Sequence, residues 1–243
     1  VIRLFRLEDV IDMGKIYFYD LNAKINYTLN RNNRFYFSSY AGKDLIDDNG
    51  GIRWGNSFIS TRWNHLFSEN VFSNLCMTGS WYKHAFDTQT GEDEVSQLLI
   101  RIRNFNAKYD ISWYTPKNNK LNFGINVRYN FLPPADITGT VLRSNLIAGD
   151  PHVYRQNLYG SYIQGTFHLF RELYADLGLK VNYAYRKYPP KVKNYLRPEP
   201  GLGLTYSLNP EISVKAAYSR NYQFHHGIGV FELLLPFDKY MMA

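Results

Sequence analysis

Apolar and polar residues alternate with a period of two along most of this chain. In residues 19–30 the odd positions carry apolar side chains and the even positions carry polar ones, and 121–131, 173–185 and 212–219 repeat the pattern with few exceptions. Weaker alternation occurs at 34–45, 53–67, 71–86, 98–115, 155–169 and 198–208. Successive side chains of a β-strand point to opposite faces, so the pattern predicts about ten strands, each with one apolar and one polar face. Many of them exceed the roughly five to six residues usual in soluble sheets.

The connections between these predicted strands alternate in length. Short polar turns lie at 31–33, 68–70, 117–120, 171–172 and 209–210. Longer connections lie between them, at 47–51, 88–96, 133–154 and 189–198. This alternation is typical of an up-and-down outer-membrane barrel, in which tight turns face the periplasm and longer loops face outward. It therefore predicts the direction of every strand.

Aromatic residues on the apolar side of the strands concentrate near the strand ends. Those near the longer connections are Tyr17, Tyr19, Trp81, Tyr129, Phe131, Tyr183 and Tyr185. Those near the short turns are Tyr27, Trp63, Phe67, Trp113 and Tyr206. Membrane barrels carry such aromatic girdles at both lipid interfaces. The alternative is a soluble β-sandwich, which would have shorter strands and aromatic residues buried at mid-strand. Strand length and aromatic placement favour an all-β, antiparallel transmembrane barrel.

One predicted strand breaks the parity rule. Leu98, Ile100 and Ile102 place apolar residues on even positions, whereas Phe105 and the apolar residues after it return to odd positions. A β-bulge would shift the parity in this way. A strand that continues beyond the membrane, where the rule no longer applies, would do the same, and the sequence leaves both explanations open.

Composition narrows the class of protein further. The chain has 243 residues and a net charge of +7, from 28 Lys and Arg and 21 Asp and Glu. The basic residues are spread singly, which argues against nucleic acid as a partner. An apolar content of 45% with 17% aromatic residues excludes a disordered chain. No apolar run approaches the roughly 20 residues of a membrane helix. A mean hydropathy of −0.38 still suits a barrel, which hides its apolar residues at alternate positions.

The sequence contains no set of residues that predicts catalysis, a cofactor or a metal site. No Ser, His and Asp or Asn set stands out, and Gly201-Leu202-Gly203 lies in a predicted strand rather than before a helix, which argues against a dinucleotide. His225 and His226 lack a carboxylate partner, as loop histidines do more often than metal ligands. The single cysteine, Cys76, excludes an internal disulfide. We predict that the protein is not an enzyme and has no cofactor and no metal.

Substrate contacts of a barrel lie on its polar, lumen-facing side. We select polar-side residues near the outward strand ends, where fixed donors, acceptors and aromatic rings could hold a polar substrate. These candidates are Asp20, Tyr82, Arg128, Asn130, Asn182, Arg186 and Asn221. In a plugged barrel such residues also hydrogen-bond the plug or water, because a polar lumen is a general feature of these barrels.

Three segments resemble TonB-dependent outer-membrane receptors of the Bacteroidetes type. The first is FYDLNAKINY at 18–27. The second is RWNHLFS at 62–68, followed by FSN at 72–74, and the third is GLTYSLN at 203–209, which continues to KAAYSRNYQ at 215–223. The resemblance implies a barrel of about 22 strands closed around an N-terminal plug. It also implies that loops and plug bind substrate from outside, and that an inner-membrane complex drives uptake.

The chain departs from that pattern in its domain content. The likeness covers about residues 16–224, without a plug domain or an N-terminal coupling motif, and the tail at 225–243 does not resemble the next strand of the family. We therefore expect residues 1–243 to form a partial outer-membrane barrel domain that lacks a plug. An open arc of strands would leave unpaired edges in lipid, so we expect this piece alone not to transport.

The favoured hypothesis is a segment of an outer-membrane receptor that takes up a glycan, a siderophore or a peptide. The alternative is a structural or adhesive outer-membrane barrel without energised transport, and the third is an outer-membrane hydrolase. The resemblance implies the cell outer membrane as location and, as partners, outer-membrane lipid, the missing plug and remaining strands, the TonB coupling complex through that plug, and a surface lipoprotein. Nucleic acid is not among the expected partners.

Overall fold

The computed structural model contains one large antiparallel sheet and one small hairpin. It describes residues 5–6, 15–47, 51–89, 95–117, 119–133, 136–138, 154–188, 191–223, 226–229 and 238–241. The ten long strands are β2 (Lys15–Asn30), β3 (Asn33–Asp47), β4 (Gly51–Ser68), β5 (Val71–Gln89), β6 (Val95–Tyr114), β7 (Lys120–Leu132), β9 (Tyr154–Phe170), β10 (Leu173–Tyr188), β11 (Lys191–Ser207) and β12 (Ser213–Ser219). The short strands are β1 (Phe5–Arg6), β8 (Asp136–Thr138), β13 (His226–Gly229) and β14 (Asp238–Met241).

The strands follow each other in space in the order in which they follow each other in sequence. The order is β1-β2-β3-β4-β5-β6-β7-β9-β10-β11-β12, and β8 pairs with the outward end of β6 beyond β7. In the described part of the chain, β12 has no strand on its far edge, and β13 and β14 pair only with each other. The prediction of about ten up-and-down strands is confirmed, and the sheet is an incomplete outer-membrane barrel.

Tight turns join the strands at one end of the sheet. The Asn30 side-chain oxygen accepts a hydrogen bond from the Asn32 backbone N–H at 3.0 Å, and Asn209 does the same for the N–H of Ile212 at 2.8 Å. An asparagine that bonds the backbone two or three residues ahead reverses the chain in few residues. The predicted positions of the short turns are therefore confirmed.

The connection predicted at 189–198 is wrong. β10 ends at Tyr188 and β11 begins at Lys191, and the two strands pair without interruption to their tips. Pro198 and Pro200 lie within β11. The carbonyl oxygen of Pro200 accepts a hydrogen bond from Arg220, past the end of β12. The missing N–H groups therefore lie on the β12 side, and the ladder to β10 stays complete.

The irregular strand contains no bulge. β5 and β6 keep one register from Val71 opposite Trp113 to Gln89 opposite Val95. Leu98 therefore lies on the polar side of the sheet, beside Phe86 of β5, and only 2% of its surface is exposed. Of the two explanations left open by the sequence, the bulge is wrong, and β5 and β6 continue outward as one long hairpin.

Apolar side chains cover one face of a single layer. Phe123, Ile125 and Ile163 are exposed by 37%, 58% and 49%, although each lies in the middle of a long strand. The buried apolar side chains among the described residues are few: Ala85, Leu98, Leu158, Ala175 and Ala184. No second sheet covers the apolar face in the described chain, so the β-sandwich alternative is wrong. None of the described residues forms a helix long and apolar enough to cross a membrane.

Two aromatic bands border this apolar face. In the band near the tight turns, here the inner band, Trp63 stacks on Phe35 at 6.0 Å and the ring of His65 lies 4.4 Å from that of Phe67. In the opposite band, here the outer band, Trp81 packs edge-on against Phe105 at 5.6 Å. In β6, Phe105 of the outer band and Trp113 near the tight turns lie eight positions apart, which in a tilted strand matches a lipid-facing belt roughly 25 Å tall.

Candidate functional site on the polar face

The predicted substrate-contacting residues all lie on the polar face of the sheet, but they are spread over several strands. Six of the seven candidate side chains lie on the polar face: Asp20, Tyr82, Arg128, Asn130, Asn182 and Asn221. The seventh candidate, Arg186, occupies a polar-face position of β10. Asp20 of β2 and Tyr82 of β5 lie in one cross-strand row but three strands apart. The structure therefore does not bring the candidates together as a single site.

A groove of about 680 Å³ crosses the polar face of β6 to β12. Its charged and polar lining includes Asn106, Lys108, Asn126, Arg128, Gln164, Asp176, Lys180, Glu199, Ser219 and Asn221. We call it the polar groove. Gly178 and Gly201 pair with each other at its floor, and a methyl group added at Gly201 would meet nothing within 4 Å. Bare backbone at both positions leaves open space between the charged walls.

One wall of the polar groove is an ordered ion pair. Lys180 Nζ lies 3.2 Å from Glu199 Oε2, and the Glu199 side chain is only 4% exposed. The Asn182 side-chain amide donates to Glu199 Oε1 at 2.8 Å, and the Tyr222 backbone N–H donates to the same oxygen at 3.2 Å. Glu199 is thus a buried carboxylate whose charge is compensated on several sides. It fixes the lysine and the amide in place and has little capacity left for a ligand.

The other wall contains a tyrosine that lies flat on a glycine. The hydroxyl of Tyr162 donates to Asp110 Oδ1 at 2.5 Å, across Gly124 in the strand between them. A Cβ atom at Gly124 would lie 2.2 Å from the tyrosine ring, so only glycine leaves room for it. Lys108 completes the cluster, with Nζ 3.0 Å from Asp110 and 5.4 Å from the ring centre. The charges of Lys108 and Asp110 therefore compensate each other, and the cluster has little capacity left for a ligand.

Arg128 differs from its charged neighbours. Its guanidinium makes no ion pair or hydrogen bond with any other described residue, and its side chain is exposed in the polar groove. A free guanidinium offers several donors in a planar fork that suits carboxylate, phosphate and other oxygen-rich groups. Of the charged groups on the described groove walls, Arg128 is the best placed to bind a ligand.

Asn130 lies above the groove in a buried amide pair. Its side-chain nitrogen donates to Gln156 Oε1 at 2.9 Å, and the two residues are 7% and 1% exposed. The Gln156 side-chain nitrogen has no partner among the described residues. A buried donor without a partner costs free energy, so this amide is available to a group that approaches from the polar side of the sheet. Asp20 is already occupied, because the Tyr40 hydroxyl donates to its Oδ1 at 2.6 Å.

Sequence reasoning missed Glu199, Lys180 and the Asp110–Tyr162 pair. Their positions on the polar side were readable, but their partners lie on other strands: Tyr162 is 52 residues from Asp110, and Asn182 is 17 residues from Glu199. The one local signal was Glu199 itself, a carboxylate between Pro198 and Pro200 in an otherwise regular strand. An acidic group at mid-strand needs a partner, and the register supplies it.

The described residues hold no cluster of three or more His, Cys, Asp or Glu side chains able to bind a metal. His225 lies outside the described residues, and the side chain of His226 is not described, so the metal alternative weighed for that pair is untested. His65 lies in the inner band, where its Nδ1 is 2.8 Å from Asn33 Oδ1. Cys76 is a free cysteine on the polar face.

Comparison with known proteins relates this fold to outer-membrane receptors. No protein-family model and no curated protein sequence matches the chain. Among solved structures, it is similar to Pseudomonas aeruginosa FpvA bound to heterologous pyoverdines, with a TM-score of 0.69 and 11% identity over 88% of this chain and 36% of that one. It is similar to the alcaligin outer-membrane receptor FauA of Bordetella pertussis, with a TM-score of 0.67 and 13% identity over 84% and 35%.

A third similar structure is the ferric preacinetobactin receptor BauA of Acinetobacter baumannii, with a TM-score of 0.64 and 12% identity over 87% of this chain and 40% of that one. At these identities the likeness establishes the fold alone: a section of an antiparallel up-and-down β-barrel like those of these proteins. The chain spans 35–40% of the length of these three receptors.

Proposed function

We propose that this chain forms part of the barrel wall of an outer-membrane transporter, with its polar face toward the lumen. The observation that carries the proposal is the contrast between the two faces of one sheet. Exposed aliphatic residues such as Ile125 and Ile163 lie between two aromatic bands on one face, and the polar groove with its free Arg128 lies on the other. Such a sheet suits lipid on one side and water with solutes on the other.

The finer proposal is a TonB-dependent receptor of the Bacteroidetes type. The similarity in fold to siderophore receptors supports the receptor class, and the segments at 18–27, 62–74 and 203–223 support the type. Further strands would close the barrel on the free edge of β12, and a plug would fill the lumen. The coupling complex would then act through the plug, and the whole assembly would lie in the outer membrane.

Arg128 and Asn221 are the candidates that the polar groove places nearest to open space. Both line the groove, whose floor at Gly201 is bare, whereas Asp20 and Asn182 are not part of its lining. A guanidinium and an amide together favour a substrate rich in acceptor oxygens, as siderophores, glycans and peptides are. We propose that substrate passes along this groove between wall and plug.

The test is uptake by cells that express the protein from its complete reading frame. The probes are a radioiron-loaded hydroxamate siderophore, a radiolabelled oligopeptide and a radiolabelled maltooligosaccharide, each supplied with and without the inner-membrane coupling protein. We expect one probe to enter only when the coupling protein is present. Arg128→Gln should slow that uptake about 10-fold or more, because a charge-assisted contact is lost. The control is Lys24→Gln, an exposed lysine on the polar face outside the groove.

Other outcomes would favour the other candidates. If the protein is abundant in the outer membrane but no probe depends on the coupling protein, a structural or adhesive barrel is favoured. If the purified protein cleaves an ester, a lipid or a peptide, the hydrolase hypothesis replaces both. Equal uptake by the Arg128→Gln and Lys24→Gln variants would remove Arg128 from the substrate path.

A further inference from the structure

Basic residues cluster on the apolar side of the sheet, within the outer band and beyond it. Arg103 and Arg155 lie in the cross-strand row of Trp81 and Phe131. Further outward in β3 to β6 lie Lys43, Arg53, Lys83 and Arg101. We call these six residues the basic rim. One cross-strand row contains Lys43, Gly55, Lys83 and Arg101 in that order, so Gly55 separates Lys43 from Lys83. The rim therefore lies where the sheet would meet the headgroups of the outer leaflet.

A groove of about 710 Å³ opens within the basic rim. Gly55 lies between the two lysines of the row, and a Cβ atom at this glycine would meet only the backbone oxygen of Gly42 and the stem of Lys43 within 4 Å. Trp81 of the outer band also lines this groove. The missing side chain thus creates a recess with lysines on both sides and an aromatic ring on the membrane side.

The basic rim has more positive than negative charge. Arg53 pairs with Asp87, and Arg101 NH1 lies 2.9 Å from Asp136 Oδ2. These two carboxylates are the acidic side chains described at this level of the apolar side, so six basic and two acidic groups leave a surplus of four positive charges. Repulsion among exposed basic groups is unfavourable unless an anion lies between them.

Two of the surplus charges are already oriented. The guanidinium groups of Arg103 and Arg155 lie 5.8 Å and 5.6 Å from the ring centre of Phe131 in the outer band. This ring separates the two residues in their cross-strand row. Stacking on an aromatic ring holds a guanidinium flat and leaves its edge free for an anion.

The opposite end of the same face shows no such cluster. Beyond the inner band, no Lys or Arg occupies an apolar-side strand position in the described chain, and the basic residues there, Arg31, Lys117 and Arg171, lie in turns. If these basic residues served only to keep the strand ends soluble, similar residues would be expected at both ends of the apolar face. The asymmetry instead points to an anionic partner that exists on one side of the membrane only.

We propose that the basic rim binds a phosphorylated glycolipid of the outer leaflet, with headgroup phosphates in the recess at Gly55. Nearer the middle of the apolar face than the recess, Ile59 of β4 and Met77 of β5 are exposed by 44% and 50%. The acyl chains of the lipid can therefore continue from the headgroup along this face. A soluble anion would use only the charged part of this surface. The proposal rests on the membrane orientation proposed above but not on transport.

The test measures lipid binding by the protein with its barrel complete, in nanodiscs of phosphatidylcholine. The probe is bisphosphorylated lipid A, titrated with EDTA present so that divalent cations cannot bridge phosphates. The double variant Lys43→Gln/Lys83→Gln should bind the probe about 25-fold more weakly, because each basic group near such a headgroup contributes about a factor of five. Binding by the unsubstituted protein should also weaken as salt rises.

The matched control is Lys24→Gln/Lys215→Gln, which removes the same charge from exposed positions of the polar face. It should bind the probe as the unsubstituted protein does, and heat-dependent gel mobility should show all three proteins folded. Equal loss of binding in both double variants would overturn the proposal, because net charge alone would explain it. Equal binding of dephosphorylated lipid A, or displacement of the lipid by inorganic phosphate at low millimolar concentration, would also overturn it.

Discussion

On the apolar face, neighbouring strands meet through rings and aliphatic chains that have no second layer above them. On the polar face they meet through bonds between side chains, such as Tyr162 to Asp110 and Asn182 to Glu199. The first set of contacts is non-directional and depends on the surrounding lipid. The second set is directional and depends on individual partners. The same backbone therefore tolerates different substitutions on its two sides.

The largest difference between the faces should come from a charge at mid-strand. Ile163 lies on β9 midway between the bands and is 49% exposed, and Gln164 beside it lines the polar groove. Ile163→Arg should lower the free energy of unfolding in lipid vesicles by roughly 2–4 kcal/mol, because the guanidinium faces hydrocarbon. Gln164→Arg should change it by less than about 1 kcal/mol. Urea titration of the folded barrel measures both, and equal costs would contradict the assignment of the faces.

A smaller effect should distinguish two glycines of the polar face. A Cβ atom at Gly124 would lie 2.2 Å from the Tyr162 ring and 2.6 Å from Asp110, whereas Gly201 has open space above it. Gly124→Ala should therefore cost roughly 1–3 kcal/mol, because the tyrosine must leave its place. Gly201→Ala should be close to neutral, since alanine fits a strand at least as well as glycine. The same urea titration compares them, and a neutral Gly124→Ala would show that the cluster repacks freely.

The hydroxyl of Tyr162 should account for part of that cost. Tyr162→Phe removes the donor to Asp110 and leaves the carboxylate with Lys108, 3.0 Å away. We expect a loss of roughly 1–2 kcal/mol in the free energy of unfolding, as for a hydrogen bond to a charged acceptor. Tyr159→Phe, on the apolar face of the same strand, should cost less than about 0.5 kcal/mol. If both variants cost the same, the hydrogen bond contributes nothing of its own.

The apolar face was the more predictable of the two from sequence. Alternation identifies it because every second residue must face lipid, so the aromatic bands at Trp81 and Trp63 follow from position alone. Strand ends were less readable, and the residues from Pro189 to Pro198 were predicted as a connection, although β11 begins at Lys191 and contains both Pro198 and Pro200. Only the register shows that these prolines direct their missing N–H groups away from β10.

The sequence predicted which residues lie on the polar face, but not which side chains they contact there. Arg128 and Asn130 were correctly placed on it, yet one is free and the other is buried against Gln156. That difference depends on strands that are brought together by register, which a period-two pattern does not encode. The Lys180–Glu199 pair was missed for the same reason. Parity is a local property of the sequence, whereas pairing on a face is a property of the assembled sheet.

The smallest effect concerns His84, on the polar side of the long β5–β6 hairpin beyond the outer band. Its side chain is 2% exposed beside Trp54 and Ile100, and this burial lowers the pKa of its imidazole below the ordinary 6.5. The unfolded hairpin therefore binds a proton at a higher pH than the folded one does. The stability of the folded hairpin should be unaffected well above that pH and should fall as the pH drops through it.

Hydrogen exchange of the outward part of β5, measured by mass spectrometry and corrected for the intrinsic pH dependence of exchange, tests this expectation. Protection of residues 81–89 should fall between about pH 7 and pH 5 in the unsubstituted protein, because protonation of His84 favours the open state. His84→Leu removes the titrating group and keeps an apolar side chain, so its protection should stay constant over the same range. Protection of the lipid-facing middle of β9 should stay constant in both proteins, since no titrating group there changes its charge. A pH-dependent loss that persists in His84→Leu would contradict the assignment of the effect to His84.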